Sequence, residues 1–95
     1  MADRMQLRVV TYDIGDDKRR RRIAELLEDE AVRVQESVFE VRLTDRATAR
    51  LMLRLKTLTG EGDSLRLYTV PDTSLSRCDA VGGPALADGA RYWLL

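Results

Sequence analysis

Asp13, Asp16 and Asp17 stand immediately before five consecutive cations, Lys18, Arg19, Arg20, Arg21 and Arg22. Carboxylates are hard oxygen ligands for a divalent ion, and guanidinium groups make planar two-point contacts to phosphate. Packed into residues 13–22, the two could hold a divalent ion beside a phosphate. The chain has no His, which removes the usual general base and the commonest metal ligand. Cys78 is its only cysteine, which excludes a disulfide framework or a cysteine zinc site. Without a His partner Cys78 reads as a small core or edge residue. Chemistry, if there is any, falls to carboxylates, arginines and a bound ion.

Those side chains need elements to place them. Residues 7–14, LRVVTYDI, are apolar on both parities, which predicts a central strand covered on both faces, with Asp13 at its end. Gly15 breaks the strand, and Asp16 or Asp17 is suited to cap a helix whose buried stripe is Ile23, Ala24, Leu26 and Leu27. At 3.6 residues per turn, Arg19 and Arg20 continue the edge of that stripe while Lys18 and Arg21 point outward. Arg20, with Arg19 or Arg22, is therefore expected nearest the strand end that carries Asp13. The helix has its charge reversed: cations crowd the N-terminal half, and Glu28, Asp29 and Glu30 close the other end. The macrodipole disfavours both placements by ~0.3 kcal/mol or more per charge. An external polyanion would offset that cost; a solvated charged face is the competing explanation.

Further on, Val32 and Val34 share one parity and Phe39, Val41 and Leu43 the other, so a hairpin bend or bulge is expected near residues 35–37. Thr44 or Asp45 should cap a second helix that buries Ala47, Leu51, Leu55 and Leu58 and ends at Gly60, with Arg46, Arg50 and Arg54 on its outer face. Residues 61–63 form a loop, and residues 65–70 alternate as a strand stopped by Pro71. Strand, helix, strand, strand, helix, strand is the α+β, ferredoxin-like order: one antiparallel sheet with both helices on one face. Residues 72–83 are turn-rich, with a short strand near 77–81. The apolar terminus at 91–95 is expected to join a sheet edge of a second protomer or another protein, with fold-back onto its own sheet as the alternative. Residues 1–4 read as a leader outside a single domain spanning 1–95, with 72–95 as a C-terminal extension.

The chain is 95 residues long, which makes one small domain for which a dimer is a fair prior. Its sixteen acidic and sixteen basic residues balance, so contact with nucleic acid must come from local clusters. Aromatic residues are few, which favours backbone contact over base stacking. No membrane-spanning run or signal pattern is visible, so a cytoplasmic location is expected. Three functions compete on these residues. One is a metal-dependent nuclease, with Asp13 as ligand and Arg20 or Arg22 against phosphate charge. Another is a duplex-binding platform. The last is a ferredoxin-like regulatory or metabolic module with no nucleic-acid role.

Residues 9–43, VVTYDIGDDKRRRRIAELLEDEAVRVQESVFEVRL, resemble the Cas-two family, the small CRISPR-associated protein of spacer acquisition. The shared pattern is Tyr12-Asp13, the polar Asp16-Asp17 turn, Arg20 and Arg22, then Arg33-Val34-Gln35-Glu36-Ser37-Val38-Phe39-Glu40. The resemblance implies a homodimer with facing sheets, in which the C-terminal strand packs on the partner and Asp13 of both protomers lines a shared magnesium site. It also implies metal-dependent endonuclease activity on RNA or duplex DNA. The same family bridges dimers of the Cas-one integrase and holds duplex DNA. By position Asp13 is the implied metal ligand, with Tyr12, Arg20, Arg22 and Phe39 as catalytic candidates. Lys18, Arg19, Arg20, Arg22, Arg33 and Ser37 are the nucleic-acid-binding candidates. Glu36 stands where an aromatic is common, and Glu28-Asp29-Glu30-Ala31 where Lys and Gly are frequent. Both departures add negative charge near the implied site, so the main expectation is a duplex-binding adaptation subunit, with cleavage secondary.

Overall fold

β1, Gln6–Asp13, is the central strand around which the other elements assemble. β3, Val38–Leu43, runs antiparallel on one side of it, and β4, Ser64–Val70, antiparallel on the other. β2, Val32–Gln35, completes the order β2-β3-β1-β4. The structure is a computed structural model that describes residues 4–85 and the backbone of residues 91–93. Two helices, α1 (Asp17–Glu28) and α2 (Asp45–Leu58), follow β1 and β3, which gives the expected ferredoxin-like element order.

Local chemistry explains the boundaries. Asp16 caps α1 by accepting from Arg19 N–H at 2.9 Å, and Thr44 caps α2 by accepting from Ala47 N–H at 3.1 Å. The parity flip resolves as a tight turn at residues 36–37 together with a register shift between Arg33 and Gln35, as a bulge requires. Even-numbered positions of β1 face the helices, where Val10, Tyr12 and Ile14 join Ile23, Ala24, Leu27, Phe39, Leu51 and Leu55 in one core. Thr48 is also buried, its hydroxyl donating to the Thr44 carbonyl at 2.8 Å. Ala47 and Leu58 are only half-buried.

Two-sided cover of β1 does not hold within the chain. On the face away from the helices only Leu7 is buried; Val9 and Thr11 are half-exposed, and Asp13 is exposed. Cross-strand partners share a face, so this open surface also carries Glu40 and Tyr68 beside Val9, and Val38 and Arg66 beside Thr11. Tyr68 is 51% exposed and Val32 54%, which leaves an apolar sheet face without cover in the single chain.

Arg8 is a charged residue buried in this chain, at 4% exposure. Its guanidinium donates to the Leu43 carbonyl at 3.3 and 3.0 Å, to Thr69 Oγ1 at 2.9 Å and to Asp45 Oδ1 at 2.8 Å. It thus ties β1 and β4 to the start of α2. Arg8→Ala is expected to lower stability by about 2–4 kcal/mol, since several charge-assisted bonds are lost at once. Arg8→Met should recover part of this by restoring the stem. Urea titration of the two variants checks the order.

Past Pro71 the turn-rich segment forms a 3-10 helix, Asp72–Arg77, anchored by buried Leu75, and then β5, Asp79–Val81. β6, Arg91–Trp93, pairs parallel with β5 inside the chain, so here the terminal strand joins neither edge of the four-stranded sheet. Residues 1–3 of the expected leader, and Leu94 and Leu95, lie outside the described residues.

Candidate nucleic-acid and metal cleft

The end of β1, the first turns of α1 and the β2–β3 turn enclose a cleft of about 600 Å³. The Tyr12 N–H donates to the Ser37 carbonyl at 3.2 Å, which draws the hairpin turn against the strand end. Asp13, Asp17, Arg20, Arg21, Arg33 and Ser37 all line this cleft, with Tyr12 at its base.

Asp13 is exposed, and no described residue donates a hydrogen bond to its carboxylate. Asp17 pairs with Arg20 and Glu28 with Arg33, whereas Asp13 has no such partner among the described residues. Arg20 Nη1 donates to the Ile14 carbonyl at 2.9 Å, and its other terminal nitrogen pairs with Asp17. Arg20 therefore lies beside the strand end, where the helical spacing put it. Arg21 also lines the cleft, although the spacing had pointed it outward.

The structure does not gather all the other candidates here. Arg22 and Lys18 are exposed on α1 outside the cleft. Arg19 turns to the opposite flank, where Nε lies 2.8 Å from Asp63 Oδ2 and Nη2 3.3 Å from Oδ1. Phe39 is fully buried, so it meets a ligand only through the residues above it. Its ring stacks under Tyr12 with centroids 6.2 Å apart, and the Arg33 guanidinium carbon sits 5.1 Å from its centroid. The Tyr12 hydroxyl is buried and meets no described group at hydrogen-bonding geometry. Its oxygen nonetheless lies close enough to Arg33 to raise that guanidinium's pKa, with Glu28 adding to the effect at 3.3 Å.

Asp63 was visible in the sequence only as a loop residue. Its side chain is 2% exposed and accepts from Gly60 N–H at 2.7 Å and Gly15 N–H at 3.3 Å, in addition to Arg19. The bonds from Arg19, then those from Gly60 and Gly15, hold its carboxyl down from the ordinary 3.8 to about 2. A lowered carboxyl contributes stability that is complete above about pH 4 and is lost as the pH falls toward 2. The clamp is thus fully charged at neutral pH.

The reversed charge of α1 is compensated in part from within. Glu28 meets Arg33 at 3.3 Å and Glu30 meets Arg54 at 3.9 Å, while Arg19 and Arg20 have Asp63 and Asp17. The cleft keeps an excess of acid: Asp13, Asp17, Glu25, Glu28 and Glu36 against Arg20, Arg21 and Arg33. A phosphate entering it would need a cation brought with it, whereas the outer face of α1 offers exposed cations directly. Among the described residues no three His, Cys, Asp or Glu side chains converge as a metal centre. Magnesium accepts one or two carboxylates and keeps several waters. Asp13 is a carboxylate of that kind.

The family described as CRISPR associated protein Cas2 matches residues 5–78. A "CRISPR-associated endoribonuclease Cas2 2" of Synechocystis sp. is 41% identical over 93 residues, 96% of this chain and 100% of that protein. The crystal structure of Streptococcus pyogenes Cas2 at pH 6.5 superposes with a TM-score of 0.66 at 34% identity, covering 75% of this chain and 93% of that one. A chain of a partial Cas6-RT-Cas1–Cas2 complex superposes at 0.65 with 28% identity, covering 75% of this chain and 79% of its own. Among the described residues no helix is long and apolar enough to cross a membrane.

Proposed function

This chain belongs to the CRISPR-associated Cas2 family, and from that premise we propose that it is an adaptation subunit: a homodimer that binds duplex nucleic acid and bridges the Cas1 integrase. Metal-dependent endonuclease activity is its secondary capacity. The observation that carries the reading is the split of charge around α1. Lys18 and Arg22 on the outer face of α1, with Arg20 and Arg21 on the wall it shares with the cleft, present an exposed cationic surface, while the cleft carries an excess of acid that includes the unpaired Asp13 at the strand end. A surface of the first kind grips a phosphate backbone without reading sequence. A cleft of the second kind admits phosphate only with a divalent ion.

The open sheet face supports the dimer. Val9, Val38 and Tyr68 form an apolar patch on the side opposite both helices, and Asp13 ends the strand at the same face. Two such faces packed about a two-fold axis would bury the patch and bring both Asp13 carboxylates to one site. A magnesium ion bound there would supply charge neutralisation and an activated water. The chain's own residues do the rest. Arg20 and Arg33 stand ready to neutralise charge that develops on a phosphoryl group, and the Ser37 hydroxyl offers a donor to a phosphate oxygen. Phe39 keeps Arg33 and Tyr12 in place from below. The part played by the complex neighbour is carried over as the integrase contact.

Binding of a labelled DNA duplex, followed by anisotropy across a range of salt, tests the reading. Arg20→Ala with Arg21→Ala is expected to weaken binding at least tenfold and to reduce the slope of log K against log salt by about two per protomer. A slope that does not change would remove these residues from the backbone contact. Failure of the unaltered chain to bind duplex would leave the regulatory-module reading in its place.

A further inference from the structure

Five consecutive cations cannot all face one partner: at 3.6 residues per turn successive side chains diverge by about 100°. Something must set the roll of α1, and the apolar stripe of Ile23, Ala24 and Leu27 begins only after the cations end. The first turn is contacted from the other side of the molecule. Asp63 lies in the α2–β4 loop, next to Ser64, the cross-strand partner of Asp13. Its carboxylate takes the Arg19 guanidinium at 2.8 Å and the Gly15 N–H at 3.3 Å. Gly60 completes the seat, since a Cβ there would lie 2.9 Å from the Arg19 guanidinium carbon. We infer that Asp63 is a positioning residue: by drawing Arg19 to the β4 flank and holding the Gly15 amide, it sets the roll of α1 and so turns Arg20 and Arg21 into the cleft.

The inference rests on reading the α1 cations as phosphate contacts, and it deepens that reading by selecting among them. Arg19 is withheld from the nucleic acid. Arg20, one residue on, reaches back to the Ile14 carbonyl at 2.9 Å, so the turn that carries Asp13 is gripped from both sides. An ion pair that merely stabilised the fold would predict that its loss weakens every property together. A pair that withholds a cation predicts that one property increases.

Asp63→Asn keeps the side chain's size and one acceptor oxygen, which can serve Gly60 or Gly15 but not both, since they donate to different carboxylate oxygens, and it removes the ion pair. In salt titrations with a labelled DNA duplex, the slope of log K against log salt should steepen by about one per protomer, because Arg19 is released to a phosphate. Adding Arg19→Ala should return it to the unaltered value. An unchanged or shallower slope in Asp63→Asn overturns the inference. Should that variant not fold, the unaltered chain decides: on adding duplex, the Arg19 Nε–H resonance should stay in place while that of Arg20 moves. A comparable shift of both overturns it. If the unaltered chain binds no duplex, the cleft reading fails by itself, and the clamp is judged by hydrogen exchange. Slow exchange of Arg19 Nε–H and Gly15 N–H in the unaltered chain supports it, and rapid exchange of both overturns it.

Discussion

Asp13→Ala is expected to reduce metal-dependent cleavage by at least about a hundredfold, in line with removal of a group that stabilises the transition state, while leaving the fold and duplex binding intact. The separation follows from where the residue sits. Asp13 ends β1 exposed, and no described group donates to its carboxylate, so its removal breaks no fold-stabilising bond. It also adds to the acid excess of the cleft, and removing it should tighten duplex binding slightly if it changes at all. Cleavage is a different matter. No His is present to act as a general base, and Asp17 is already paired with Arg20. In the proposed reading Asp13, which sits at the strand end, is the side chain that holds an ion beside the phosphate, with Glu25 and Glu36 also on the cleft lining. Assays of RNA and duplex substrates with and without magnesium, paired with anisotropy on the same preparations, read both arms. Retained magnesium-dependent cleavage would remove Asp13 from the metal site; lost duplex binding would make it a binding residue instead.

The sequence made the frame of this site legible because local rules decide the frame. Asp16 and Thr44 cap as short polar side chains do at helix starts, and the parity flip between Val34 and Phe39 fixed the hairpin. The position of Asp13 followed from where the apolar run stops. What stayed hidden depends on partners distant in sequence. Asp63 lies 44 residues from Arg19, and nothing in a Gly-Asp loop announces a buried carboxylate with four donors. Arg21 lines the cleft although spacing alone pointed it outward, and the inferred reason is that Arg19 is already claimed by Asp63. Phe39 belongs to a densely matched motif, and the motif does not reveal that its ring lies wholly within the core. Apolar residues on both parities of β1 predicted two-sided cover, yet the chain supplies helices for one side only. In the proposed dimer the second cover comes from another copy, and strand patterning cannot distinguish cover by the same chain from cover by a partner.

That unmet cover gives the other large expected effect. Val9→Glu should convert the dimer to a monomer and abolish magnesium-dependent cleavage with Asp13 untouched. Val9 lies near the middle of the open face, between Glu40 and Tyr68 on the adjacent strands. In the monomer it is half-exposed, so a carboxylate there reaches water and the fold survives. In a two-fold interface the same carboxylate would be buried beside Glu40, whose own pKa burial already raises. Unpaired buried charges cost several kcal/mol, so about 4 kcal/mol would weaken association roughly a thousandfold. Sedimentation should then report the 10.8 kDa chain in place of its dimer. Cleavage should vanish because each Asp13 supplies only half of a site. Duplex binding should persist with about half the salt slope, since one α1 surface is left per complex. A Val9→Glu chain that remained dimeric would place the interface elsewhere, and a monomer that cleaved at the full rate would show that one Asp13 suffices.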